Sequence, residues 1–263
     1  MRPADLDARL RLAAARLGPF GGRVRHYREV RSTNDVAAEL ADQGAPHGTV
    51  VVADAQTAGR GRHGNRWFSP VGTGLYVSVL LRMVSVPVLT LAVGVAVAEA
   101  LRAGEGLEAT LEWPNDVVVA GAGRPRKVAG ILVEATTVHG RVERVIVGIG
   151  VNLREAVWPA ELAERAGSVE GLTGRRVDPA RLLVELLAAL ATRSAEIESG
   201  ALAGLLARWA ALAPSSRGTS VEWSVGAVRH RGVTEGVDEH GALLVRVGTR
   251  LERLVGGEVH HVM

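Results

Sequence analysis

The chain has 263 residues, no cysteine, and 31 Lys+Arg against 28 Asp+Glu, a formal net charge of +3. Hydrophobic residues at 47% and charged residues at 22% mark a globular composition, sized for one large domain or two smaller ones. The missing cysteine excludes a disulfide scaffold, a thiol nucleophile and Cys-ligated zinc, and the small net charge argues against a uniform basic field.

The first 18 residues alternate charge with Leu and Ala, as an amphipathic helix does, and lack the uninterrupted apolar core of a signal peptide. Ser32-Thr33-Asn34 stands just before a helical pattern. Residues 49–55 form a continuous β-branched run that predicts a buried strand. The loop Gly59-Arg60-Gly61-Arg62-His63-Gly64 follows, then a second strand over 75–82. The most apolar stretch, 84–101, carries Pro87 and Glu99. It reads as a buried helix over 87–103 with Pro87 near its first turn, not as a membrane span, and a cytoplasmic protein is expected.

Short strands over 107–113 and 117–120 bracket Pro114-Asn115-Asp116, and 121–125 is a turn. Two longer strands, 128–137 and 142–153, flank a hairpin signal at His139-Gly140. A helical pattern runs from Pro179 to about Ala213 and breaks at Pro214-Ser215-Ser216. The remaining residues read as short strands between Gly-rich turns, which suits a small barrel. A domain boundary near 214–217 divides the chain into 1–214 and 215–263.

Rare residues mark the chemistry. Of the basic residues 30 are arginine, and Lys127 is the single lysine; asparagine occurs four times (34, 65, 115, 152) and glutamine twice (43, 56). In a chain that uses Arg for ordinary positive charge, a lone lysine at the start of a strand points to a job that a compact ammonium does and a rigid fork does not. In the 59–64 loop glycine permits close backbone approach and arginine supplies forked donors for carboxylate or phosphate. The same loop also reads as a solvated turn, or as a single RGG-like element for RNA. Asp116 at a strand end could hold Mg²⁺ through oxygen, or simply close an Asx turn. Gly148-Ile149-Gly150-Val151-Asn152 offers strand glycines for close approach, or a bulge. Ser32 reads first as a helix N-cap.

Taken in order, Ser32-Thr33-Asn34, Gln56-Thr57-Ala58-Gly59-Arg60-Gly61-Arg62, Trp113-Pro114-Asn115-Asp116, residues 127–134 (KVAGILVE) and residues 148–153 (GIGVNL) resemble the biotin–protein ligases. The tail, with residues 238–244 and 256–259, is similar to that family's C-terminal SH3-like barrel. The resemblance implies an α+β fold: a mixed sheet flanked by helices, related to class II aminoacyl-tRNA synthetases and lipoate ligases, with the small barrel appended. It implies a two-step reaction in which biotin and MgATP give biotinyl-5′-AMP and pyrophosphate. A lysine of a biotin carboxyl carrier domain, on an acyl-CoA or pyruvate carboxylase, then takes the acyl group.

Carried over by position, Ser32, Thr33, Asn34 and Gln56 would surround the ureido ring. Gly59, Arg60, Gly61 and Arg62 would form the ligand loop, with Gly130 close to biotin. Lys127 and Arg62 would be catalytic, Lys127 bridging biotin's carboxylate and the ATP α-phosphate. Trp67 would pack on adenine, Asn152 would read its edge, and Asn115 and Asp116 would lie near the phosphates, Asp116 touching Mg²⁺.

Glu112 departs from the family, which usually has Lys or Arg before Trp-Pro-Asn-Asp; Arg124 or Arg126 could replace that charge. About 25 residues precede the first strand-like run, too few for a winged helix-turn-helix, so no direct DNA binding is expected. A monomer and a homodimer are both compatible with the sequence. The competing readings are a lipoate or octanoyl transferase, whose apolar substrate needs less of the polar set at 32–34 and 56, and an Arg-rich nucleotide- or RNA-binding module.

Overall fold

The computed structural model describes residues 3–82, 88–121, 123–226 and 228–262, so Pro87 lies outside the described residues. The helices are α1 (Pro3–Leu12), α2 (Ala14–Leu17), α3 (Thr33–Asp42), α4 (Leu89–Glu105), α5 (Ala160–Ala163), α6 (Val169–Thr173), α7 (Pro179–Glu198) and α8 (Leu202–Leu212). The strands of the larger sheet are β1 (Val24–Tyr27), β2 (Val50–Ala53), β3 (Gly74–Leu81), β4 (Ala109–Glu112), β5 (Asp116–Val119), β6 (Arg126–Val138) and β7 (Arg141–Asn152).

This sheet has seven strands in the order β1-β2-β3-β7-β6-β5-β4. β1 and β2 are parallel and every other pair is antiparallel, so the sheet is mixed. The β6–β7 turn is the one expected at His139-Gly140. Both residues have positive φ (50° and 76°), the backbone that a tight two-residue hairpin requires.

Period-two alternation decides which face does what. Val145, Val147, Ile149 and Val151 of β7, with Val77 and Val79 of β3, join the main core beneath α4 and α7. The opposite face is covered only in part: α3 packs Ala37 and Ala41 on Val51, Leu80 and Ile146. Beyond Ile146 the same face of β7 continues as Gly148, Gly150 and Asn152. The strand thus passes from an apolar patch under α3 into a glycine-floored trench.

The helical pattern from 179 to 213 is two helices, not one. Asp178 caps α7 through Ala180 and Arg181 N–H, and the break falls at Ser199-Gly200, with Gly200 at φ 75°. The tail forms β8 (Arg217–Val225), β9 (Val228–Val237), β10 (Leu243–Val247), β11 (Arg250–Leu254) and β12 (Val259–His261), a five-stranded sheet in the order β11-β10-β9-β8-β12. Its edge strands β11 and β12 do not pair, so the sheet is open where a closed barrel is expected. It has its own small core of Val221, Trp223, Leu243 and Val245.

Trp113 joins the two sheets. Its ring packs against both cores, and its indole N–H donates to Gly241 O at 3.0 Å. The Trp113–Pro114 peptide is cis.

Candidate active site

The N-terminus of α3 stands at the covered end of the trench. Ser32 is the N-cap, its side chain accepting from Asn34 N–H at 3.3 Å, so the capping role of the motif is real. Thr33 and Asn34 nevertheless point inward and are buried. Ser78 of β3, fully buried, lies within hydrogen-bond distance of Thr33 Oγ1 (2.7 Å) and Asn34 Oδ1 (2.5 Å). Thr33 donates to Gln56 Oε1 from its backbone N–H (2.8 Å) and its hydroxyl (3.1 Å). Asn34 donates to Glu134 from the neighbouring strand. A Cβ added at Gly148 would lie 2.5 Å from Asn34 Oδ1, which explains glycine there.

The loop after β2 closes on itself. Gly61 N–H donates to Asn65 O at 2.7 Å and Trp67 N–H to Gly59 O at 2.9 Å. Arg60 reaches back to Asp35 and to Glu134 (3.1 Å). Burial works against its charge, but the bonds from these two carboxylates outweigh that and raise its pKa. Arg62 donates to Asn115 Oδ1 at 3.2 Å; burial lowers its pKa, opposed by Asp116 and Glu258. Asn65 donates to Glu258 Oε1 at 3.3 Å, so the loop also touches the C-terminal segment.

Trp67 ends the loop by lying across the trench floor. A Cβ at Gly150 would be 2.3 Å from its Nε1, and one at Gly130 would be 2.8 Å from its six-membered ring. These two glycines are register partners in β6 and β7. The Trp67 indole N–H is buried without a hydrogen-bond partner among the described residues.

Lys127 completes the trench. Its Nζ lies 5.4 Å from the Trp67 ring centroid and 2.6 Å from Asp116 Oδ1. The pair is only partly shielded, with side chains 29% and 20% exposed. The strand start that carries Lys127 is held by Asn152, whose amide donates to Lys127 O (3.3 Å) and Gly167 O (3.1 Å). Asn115 ties the turn to β6 through Ile131 O at 3.0 Å. No cluster of three or more His, Asp or Glu able to hold a metal is present among the described residues. Asp116 alone fits the mode in which one carboxylate plus phosphate oxygens and waters hold Mg²⁺.

This arrangement lines a half-covered groove with hydrogen-bonding groups at one end and cations at the other. Its chemistry suits a molecule with a neutral polar head and an anionic tail.

Residues 27–152 match the model of the biotin/lipoate A/B protein ligase family. The chain is 35% identical over 229 residues to the biotin–acetyl-CoA-carboxylase ligase of Paracoccus denitrificans, covering 82% of this chain and 90% of that one. It is 32% identical over 236 residues to the bifunctional ligase/repressor BirA of Bacillus spizizenii, covering 88% and 71%. The fold matches a biotin protein ligase from Aquifex aeolicus solved with biotin and ATP, with a TM-score of 0.78 at 28% identity over 92% of this chain and 99% of that one.

The chain belongs to the biotin protein ligase family. The structure brings Thr33, Asn34, Gln56, Gly59, Arg60, Gly61, Arg62, Trp67, Asn115, Asp116, Lys127 and Gly130 around one groove, with Ser32 buried at the α3 N-cap and Asn152 beneath.

Arg126 donates to Ala163 O and Ala166 O. The charge at Glu112 is favoured by Arg165, Lys127 and the imidazole of His261 and opposed by Asp116. Ser69, Ser78, Asp35 and Glu134 carry the network without any assigned role in the sequence reading. Of these only Glu134 lies inside a motif named above; Asp35 follows one directly, and neither serine stands in any motif.

Proposed function

We propose that this chain attaches biotin to a lysine of a biotin carboxyl carrier domain through biotinyl-5′-AMP. A carboxylate oxygen of biotin attacks the ATP α-phosphorus and the bond to pyrophosphate breaks. The carrier's neutral ε-amine then attacks the acyl carbon, AMP leaves, and the amine gives up a proton. The observation that carries this reading is the pairing of one lysine with a neutral polar pocket across a glycine floor.

Two anions must meet in the first step. Two unit charges 4 Å apart interact by about 4 kcal/mol at an effective dielectric of 20, so a cation between them offsets a barrier of that order. Lys127 supplies it once its ammonium turns from Asp116 to the two substrates, and Arg62 is the second cation. Asp116 is then free to meet Mg²⁺ carried by ATP. Ser32, Thr33 and Gln56 face the ureido ring, while Asn34, bonded to Ser78 and Glu134, supports them from behind.

Gly59, Arg60, Gly61 and Gly130 line the path of the acyl chain. Trp67 lifts from the floor to admit that chain and covers adenine from its new position, with Asn115 and Asn152 on the nucleotide side. The hydroxyl-and-amide pocket favours a cyclic urea over the apolar dithiolane of a lipoyl substrate.

We read the open C-terminal sheet as the family's SH3-like module, with the boundary at 214–217. The acceptor is the carrier domain of an acyl-CoA or pyruvate carboxylase, and the reaction belongs to the cytoplasm. Incubation with ATP, Mg²⁺, labelled biotin and such a carrier tests the function. Label on the carrier and a trapped biotinyl-AMP are expected; absence of both, with lipoylation in a parallel reaction, overturns it.

A further inference from the structure

Gln56 lies where three segments cross. Its backbone N–H donates to Ser69 O (3.1 Å), and the next residue, Thr57, donates to Val30 O (3.0 Å). Its side-chain oxygen accepts twice from Thr33. Its Nε2 donates to Ser69 Oγ at 2.9 Å, and Ser69 donates to Trp67 O at 3.1 Å. Ser69 is 4% exposed. Gly59 leaves room for this crossing: an added Cβ would lie 2.6 Å from Trp67 O, 2.8 Å from Ser69 Oγ and 2.9 Å from Gln56 Nε2.

The directions are set by groups that act only one way. The Thr33 N–H can only donate, so Gln56 Oε1 faces it. The Trp67 carbonyl can only accept, so the Ser69 proton goes there and a Ser69 lone pair takes the Gln56 N–H. A flipped Gln56 amide would set N–H₂ against N–H, and its carbonyl against an oxygen with no proton to give. The single Thr33 hydroxyl proton goes to Gln56 Oε1 (3.1 Å) or to Ser78 Oγ (2.7 Å), and in either case the hydroxyl can only accept from a ligand. Gln56 retains one N–H to donate. Acceptor beside donor is the complement of the N–H and C=O edge of a cyclic urea.

We propose that Ser69 is a positioning residue, pinning the Gln56 amide in the orientation that matches a urea edge and tying the pocket to the 59–67 loop through the Trp67 carbonyl. The urea match rests on the biotin reading above; the tie to the loop does not.

The test compares wild type, Ser69→Ala and Ser69→Thr in biotin titrations, in KM for biotin and ATP, and in trypsin cleavage within the loop at Arg60, Arg62 and Arg66 with and without biotin. In Ser69→Ala, biotin affinity is expected to fall about tenfold, as loss of an oriented hydrogen bond does. KM for biotin rises more than KM for ATP, and the loop is cut faster even without ligand. Ser69→Thr restores wild-type behaviour. A structural loosening alone would move both KM values together.

Ser69→Ala binding biotin within twofold of wild type, with unchanged cleavage, overturns the proposal. No biotin binding by the wild type overturns the biotin reading instead, and the ligand-free cleavage rate then decides whether Ser69 ties the loop. Ser69→Cys, which keeps the volume but weakens both bonds, gives an intermediate shift and replaces the alanine variant if that variant does not melt cooperatively.

Discussion

At the scale of single residues, charge placement dominates. Lys127 has a carboxylate at 2.6 Å, an aromatic face at 5.4 Å, and a neighbouring glycine whose added Cβ would sit 3.2 Å from Lys127 Cε. A guanidinium keeps the charge but is planar and wider, so it cannot turn within that space. Lys127→Arg is expected to slow biotinyl-AMP formation about 100-fold or more while biotin binding changes only a few-fold. Single-turnover adenylation beside a binding titration checks this.

Glu112 is a residue-scale problem of the opposite kind. Burial pushes its carboxyl above the ordinary range, only partly countered by His261, Arg165 and Lys127 and reinforced by Asp116. An acid whose pKa is raised in the folded state holds its proton there longer than in the unfolded chain. Stability from this group is therefore present below the ordinary carboxylate pKa and is lost as pH rises through the raised one. Glu112→Gln is expected to flatten that part of the stability–pH profile, which denaturant melts from pH 4 to 8 would show. The rare lysine was legible in the sequence because composition singled it out. The environment of Glu112 was not, since it depends on His261, at the far end of the chain.

At the scale of elements, the site is a consequence of strand period. One face of β7 reads Ile146, Gly148, Gly150, Asn152 and the other reads valines and isoleucine, so one strand builds core and trench at once. The glycines were legible as close-approach positions, but what approaches them was not: Asn34 comes from α3 and Trp67 from the loop. Gly150→Ala is expected to raise KM for biotin at least tenfold, because a methyl group there takes the floor from both the indole and the acyl chain. The fold should survive, since β7 keeps its ladder with β3 and β6. Biotin titration and a thermal melt on the same sample separate the two effects.

At the scale of the whole molecule, Trp113 and Val237 each pack on both cores where the two sheets meet. Trp113 packs on both cores and bonds Gly241, while Asn65 bonds Glu258 across the same junction. Trp113→Phe keeps most of the packing and removes the hydrogen bond, worth about 1 kcal/mol. In a chain of this size that lowers Tm by about 2–4 °C. Earlier proteolysis near 214–217 is expected to accompany it, and limited digestion followed by mass spectrometry checks it. No local pattern around Trp113 reveals its partner, because Gly241 lies 128 positions away.

What the sequence by itself determined is whatever repeats locally or stands out by rarity. The β-branched runs, the hairpin at His139-Gly140, the break at Pro214, the single lysine and the ordered motifs all belong there, because backbone sterics and composition act over a few residues. The tertiary structure alone decided which groups share a proton. Thr33 meets Gln56 across 23 positions, Gln56 meets Ser69 across 13, Ser78 meets Thr33 across 45, and Asn34 meets Glu134 across 100. A hydrogen bond depends on distance and direction in space, and no local pattern encodes either between segments so far apart.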